Sequence, residues 1–179
     1  MNLYDILMSD DVILEVNKNL DYILKIIPEI NYMIGFEHKH PHHHLDVWNH
    51  TLYALSLSEV DFDIRVALLF HDIGKPFSYQ EGEIRHFHNH PSVSAEMTRK
   101  ILEHLDFKEE FINKICYLVK YHDTPISQKQ MEQDYQLSLK LYKIQYCDAM
   151  AHNPNMLDKR KKYLEETYSK IKQMKLKNS

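Results

Sequence analysis

Val66-Ala67-Leu68-Leu69-Phe70-His71-Asp72-Ile73-Gly74-Lys75-Pro76 runs from an uninterrupted apolar helical stretch straight into a histidine and an aspartate. VALLF reads as the interior turn of a helix, so the two polar side chains that follow it begin inside the molecule. An ionised carboxylate in a low-dielectric interior costs roughly several kcal/mol unless a partner or a metal ion offsets it. Asp72 therefore needs a cation, and His71 beside it is a second metal-capable group.

Outward from this stretch, apolar residues recur three or four positions apart along nearly every long segment, and the chain holds only three glycines, so the expected class is all-α. Upstream, Ser9 is the expected N-cap of a helix over about 9–27 that turns Val12, Ile13, Val16, Leu20, Ile23, Leu24 and Ile27 inward and stops at Pro28. A connection from Pro28 to Leu45 follows. Asp46 then caps a helix over about 47–60, and Asp61 or Asp63 caps another from Ile64 to Ile73, closed by Gly74 as C-terminal cap, with Pro76 preventing continuation. Downstream, the alternation in FSYQEGEIRHFH around Glu81-Gly82 is the one place that admits a short β-hairpin, between Phe77 and His90. Helices are expected again from Pro91 to about Leu105, Lys108 to Tyr121 and Tyr135 to His152, then over about 155–175, the last fading into MKLKNS. No internal repeat or interdomain linker interrupts the 179 residues, so one domain is expected over 1–179, its motif-bearing core at about 43–154.

Side chains one helical turn apart share a face, which tests each candidate ligand by its neighbours. His50 shares its face with Val47, Ala54 and Leu57; His71 with Ile64 and Leu68; His122 with Phe111, Ile115 and Leu118; Asp148 with Leu137, Leu141, Ile144 and Ala151. Any one of these histidines alone reads most simply as a hydrogen-bonded core imidazole, and an inward acid as half of an ion pair. Three inward imidazoles and two inward carboxylates on separate helices are a different matter, because they repel or stay unsatisfied unless they converge on cations. Imidazole and carboxylate without thiolate select a divalent ion in open geometry, one or two in number, with Mn, Fe, Co, Mg, Ni and Zn all left open.

At these residues the chain resembles the HD-domain phosphohydrolases, whose pattern of His, then His-Asp, then a distant Asp reads here as His50, His71, Asp72 and Asp148. Between about His43 and Pro154, DVWNHTLYAL, ALLFHDIGKP, RHFHNHPSVSAEM and YCDAMAH are similar to the HD module of bacterial CCA-adding tRNA nucleotidyltransferases. The resemblance implies an HD-domain helical bundle that hydrolyses phosphoester bonds, 2′,3′-cyclic phosphodiesters and nucleotide monoesters included, by metal-activated water. It also implies that His90 and His122 occupy the positions of the additional histidines of two-metal members. With two ions Asp72 bridges them, with His50, His71 and Asp148 on one and His90 and His122 on the other; with one ion His90 is instead a substrate-facing group next to a helix start. No strand-rich Gly-Ser and paired-Asp signature precedes the motif, so nucleotide addition is not expected. His43, offset from Asp46-Val47 as in the HxxDV start of that module, is a candidate substrate contact. Some HD-fold proteins use the same six ligands as di-iron oxygenases, which is the rival within enzymes; a non-catalytic nucleotide- or RNA-binding module with a structural metal is the rival outside them.

Other polar features weigh less. Lys75 reads equally as a group reaching a substrate phosphate, hence a catalytic and substrate-binding candidate alongside Asp72, and as a solvated cation at a helix end. HKHPHHH over 38–44 reads as solvent-exposed lining of a mouth, its irregular spacing giving no fixed coordination sphere. The run Lys159-Arg160-Lys161-Lys162 reads first as the solvated face of an amphipathic helix with Tyr163, Leu164, Tyr168 and Ile171 buried, and second as a phosphate-backbone contact. A net charge of −4 and 44% apolar content argue against a disordered or nucleic-acid-coating protein. The expected partner is a small nucleotide or phosphoester, an RNA end being the larger alternative, with oligomeric state left open. Cys116 and Cys147 lie in apolar helical patterns rather than a disulfide framework, the opening MNLYDILMSDD lacks a signal peptide's basic start and apolar core, and no apolar run approaches ~20 residues. A soluble, cytoplasmic protein is expected.

Overall fold

The computed structural model describes residues 2–177. Its helices are α1 (Leu3–Leu7), α2 (Val12–Lys18), α3 (Leu20–Ile26), α4 (Val47–Ser56), α5 (Phe62–Phe70), α6 (Lys75–Ser78), α7 (His90–His104), α8 (Glu109–Tyr121), α9 (Gln128–Gln133), α10 (Tyr135–Met150) and α11 (Asp158–Lys177), with 3-10 turns at Pro28–Tyr32 and Pro154–Met156. No strand occurs among the described residues, and the fold is all-α. No helix is long and apolar enough to cross a membrane.

The centre of the bundle is α5, in which every residue from Ile64 to Phe70 is buried. It packs against α4, α8 and α10, while α7 lies along α8 and α11 along α10. Burying Leu68, Leu69 and Phe70 fully contributes about 1.5–3 kcal/mol each. The one charge in that run, Arg65, is satisfied: its Nη1 donates to Leu7 O at 2.6 Å and Ser9 O at 2.7 Å, and its Nε to Ser58 Oγ at 3.2 Å. A buried guanidinium thus ties the end of α1 to the central helix.

The N-terminal helix differs from expectation. Its cap is Asp11, which accepts from Leu14 N at 3.0 Å, whereas Ser9 Oγ accepts from Asp11 N outside the helix. It then breaks at Asn19, whose side-chain amide donates back to Glu15 O at 2.8 Å and competes with the backbone ladder. The second expected helix stops at Ser56 rather than Val60, which leaves Leu57 40% exposed and off the inward face of His50. Asp61, not Asp63, caps α5, accepting from Ile64 N at 3.0 Å.

Around the HDIGKP stretch two local readings are corrected. Gly74 adopts a right-handed conformation (φ −81°), so it is not a left-handed C-cap; its smallness admits α7 instead. Pro76 does not end helical structure but stands in the first turn of α6, where a missing N–H costs nothing. The expected hairpin shrinks to a single antiparallel bridge between Gln80 and His86. Further on, SQKQMEQD holds a helix that its polarity disguised: Ser127 and Gln130 form a capping box for α9. The last helix continues through Lys177, with Asn178 and Ser179 outside the described residues.

Candidate metal centre

Five helices deliver one side chain each to the same buried point, and the turn after α5 adds a sixth. His50 comes from the middle of α4, His71 caps α5 with Asp72 following it, His90 opens α7, His122 caps α8, and Asp148 lies in the last turns of α10. All six are buried. The face test on His50, His71, His122 and Asp148 and the placement of His90 therefore converge in space.

The four imidazoles are oriented alike. Nδ1 of His50 lies 3.2 Å from Ala151 O, that of His71 2.7 Å from Leu68 O, that of His90 2.8 Å from Phe87 O and that of His122 2.6 Å from Val119 O. A carbonyl only accepts, so each Nδ1 carries a proton and each ring turns its Nε2 inward. In one group, His50 Nε2 and His71 Nε2 are 3.4 Å apart, with Asp148 Oδ1 at 3.0 and 3.5 Å and Asp72 Oδ2 at 3.6 and 3.3 Å from them. In the other, His90 Nε2 and His122 Nε2 are 3.3 Å apart, with Asp72 Oδ1 at 3.3 and 3.7 Å. Asp72 sends one oxygen to each group.

This set fits divalent cations. Both Asp72 oxygens are buried without a hydrogen bond of acceptable geometry. Around its Oδ1 the nearest groups are the Nε2 atoms of His90 and His122, three ligand-type atoms turned on one small volume. Burial and the neighbouring His71 hold His122 down at about 4, so that ring stays neutral. Burial also works against a charged His71, but Asp72 and Asp148 outweigh it and push its pKa up to about 10. Burial would raise both carboxyls; His71 and Lys75 hold Asp72, and His152 and His50 hold Asp148, well below the usual carboxylate range. His71 could hold a metal ion in the first group only with its Nε2 unprotonated, so binding there would be coupled to loss of that proton.

Lys75 is no solvated helix-end cation. It is 4% exposed, its Nζ 2.7 Å from Asp72 Oδ2 and 3.1 Å from His38 Nε2. His43 stands at the edge of the centre, its ring 5.1 Å from that of His50 and 4.5 Å from that of His152. Three participants escaped the sequence reading. His38, assigned to an exposed mouth, is buried, and burial with Lys75 beside it lowers its pKa to about 2. His152 Nε2 is 3.5 Å from Asp148 Oδ1, a contact that its position one turn after Asp148 would have signalled. Arg160, from the basic run, places Nη2 3.7 Å from Asp148 Oδ2 and Nη1 3.3 Å from Asp123 Oδ1. Nothing in LysArgLysLys distinguishes that one residue from its neighbours. An open cleft of about 1070 Å³ lies over the two groups, with Lys75, His43, His152, Lys159 and Arg160 in its wall. Phe87 also lines it.

The HD domain model matches residues 42–167. The chain belongs to the HD domain family. Members of this family are generally metal-dependent hydrolases, and the His/Asp centre fits that chemistry. The HD chain is 36% identical over 105 residues to the CC-adding tRNA nucleotidyltransferase of Thermus thermophilus, covering 54% of this chain and 24% of that one. It is 36% identical over 88 residues to the A-adding tRNA nucleotidyltransferase of Deinococcus radiodurans, covering 45% and 20%. It is 30% identical over 116 residues to the multifunctional CCA protein of Hahella chejuensis, covering 62% and 27%. The chain thus spans only about a quarter of the length of these curated relatives.

Proposed function

We propose that this HD domain is a metal-dependent phosphohydrolase that cleaves a phosphomonoester or phosphodiester of a nucleotide or an RNA end, a 2′,3′-cyclic phosphate among the candidates. The observation that carries the reading is the division of Asp72, one carboxylate oxygen facing the His50–His71–Asp148 group and the other facing His90–His122. His50, His71, Asp72 and Asp148 would hold one divalent ion and Asp72, His90 and His122 a second, their rings aimed by the backbone carbonyls behind them. Divalent ions bound there supply a water whose pKa falls from 15.7 toward about 7 and screen the phosphoryl oxygens.

The chain's own groups complete the chemistry. Lys75 offers an ammonium, held beside Asp72 as an ion pair, to a phosphoryl oxygen in the cleft. His43 lines the same wall as a substrate contact, and Arg160 steadies the outer oxygen of Asp148. An RNA end is supported by two things together: the relatives' names are those of tRNA enzymes, and Lys159 and Arg160 stand at the cleft rather than away from it. Free Cys116 and Cys147 suit a reducing compartment such as the cytoplasm.

The test is metal analysis of protein purified without chelator, together with phosphate release from nucleotides, 2′,3′-cyclic nucleotides, RNA ends and generic phosphoesters in Mn, Fe, Co, Mg, Ni and Zn. Release with at least one ion is expected. Oxygen uptake dependent on iron with no phosphate release would assign the centre to oxygenase chemistry, and tight nucleotide binding without turnover to a binding module.

A further inference from the structure

We infer that His38 is the positioning residue for the Lys75 ammonium, an inference that rests on the proposed role of Lys75 at a substrate phosphate. His38 lies in the loop before α4, is 2% exposed, and its Nδ1 donates to Leu45 O at 2.9 Å. That bond fixes the proton on Nδ1 and leaves Nε2 as an acceptor. Lys75, 37 residues away, donates to it at 3.1 Å. The imidazole cannot swing off this line, because its face stacks on His43 with centroids 3.7 Å apart and planes 4° from parallel, and its edge meets Phe87 at 6.0 Å. Phe87 also lies beneath the ammonium, 5.6 Å from Lys75 Nζ.

The consequence lies in the three N–H bonds of a lysine. His38 Nε2 takes one of them at 3.1 Å, whereas Asp72 Oδ2 at 2.7 Å pairs with the ammonium as a charge and not along an N–H, and Lys75 lines the cleft. The charge pair fixes where the ammonium sits, and the bond to His38 fixes how it is turned. With Asp72 as sole anchor, a flexible four-carbon stem would let the ammonium rotate and settle onto the carboxylate that the centre needs for its cations. His38 itself lies outside the cleft lining but stacks on His43 and meets Phe87, which do line it, so an effect through Lys75 is separated from one through those neighbours by repeating the His38 substitution in a Lys75→Met background.

The experiment compares His38→Leu, which fills the space without an acceptor, with His38→Gln, which restores one. The Lys75 ammonium signal is recorded by ¹H–¹⁵N NMR on magnesium-loaded protein, and kinetics and metal content are measured alongside. The signal is expected in wild type and His38→Gln and absent in His38→Leu, with metal content unchanged. His38→Leu is expected to lower kcat/KM about tenfold through KM, and by less than about twofold when Lys75 is already Met. An ammonium signal identical in wild type and His38→Leu, its loss in His38→Gln, or an undiminished penalty in the Lys75→Met background would overturn the inference. Should no phosphoester be turned over by wild type, the hydrolase reading falls, and the NMR comparison still decides the contact.

Discussion

Gly74 N donates to Ser94 Oγ at 2.9 Å, and a Cβ placed on residue 74 would stand 2.5 Å from Ser94 N and 2.8 Å from that hydroxyl. The glycine just after His71-Asp72 is thus the point at which α7 is pressed against the turn carrying the ligand pair. Because the nearest obstacle is backbone, it cannot rotate away. Gly74→Ala is expected to cost about 1–3 kcal/mol of stability, as overpacking does. It should also weaken binding of the second ion, since α7 carries His90. Thermal unfolding and metal titration check both, and an unchanged Tm would contradict the packing argument.

Asp72→Ala is expected to remove both cations and all hydrolysis, because each group loses its shared carboxylate. It also strands Lys75 beside His38 with no anion, a buried charge worth about 3–5 kcal/mol when unpaired. Asp72→Asn keeps the shape and separates the two effects. Elemental analysis of both variants is the measurement, and full metal occupancy in either would refute the assignment of Asp72 as bridge.

The two groups make a finer prediction. His90→Ala and His122→Ala are expected to bind one ion per chain fewer than wild type while the His50–His71–Asp148 group keeps its own. His50→Ala is expected to lower occupancy at that first group, since it removes the Nε2 lying 3.0 Å from Asp148 Oδ1. Stoichiometry by elemental analysis, with circular dichroism as the folding control, distinguishes these. Equal metal content in wild type and His122→Ala would leave a centre of one ion.

What could be read from the chain and what could not divides along a physical line. His50, His122 and Asp148 were legible because each sits on a helix whose 3.6-residue period fixes the direction of its side chain. His71-Asp72 was legible because a buried helix runs straight into it. His38 was not, since its direction is set by Leu45 O and by Lys75, neither of which shares a periodic element with it. Lys75 was ambiguous for the same reason: Gly-Lys-Pro looks like a helix stop, and only the tertiary fold turns it into the first turn of a new helix facing inward. The break at Asn19 shows the converse, a local side-chain bond to Glu15 O defeating an apolar pattern that was otherwise continuous.

The helix that presents His71 is also tuned by pH. Asp61 caps α5 while accepting from Lys140 Nζ at 2.9 and 2.7 Å, and the same ammonium reaches Asp63 at 2.8 Å. Burial pushes the Asp61 carboxyl up, but the Lys140 ammonium and the Ile64 N–H outweigh it and set its pKa below 3.8. A carboxyl whose folded pKa lies below its unfolded one contributes stability that is complete above the unfolded value and is lost as pH falls through the folded one. Lys140→Met removes the cation, so wild type should be the more stable by a full margin at neutral pH, and that margin should shrink below about pH 4. High salt should narrow it as well, because both side chains are partly open to solvent. The measurement is Tm of both proteins from about pH 3 to pH 7. A gap of constant size across that range would show that Lys140 acts through packing, not through the charge of Asp61.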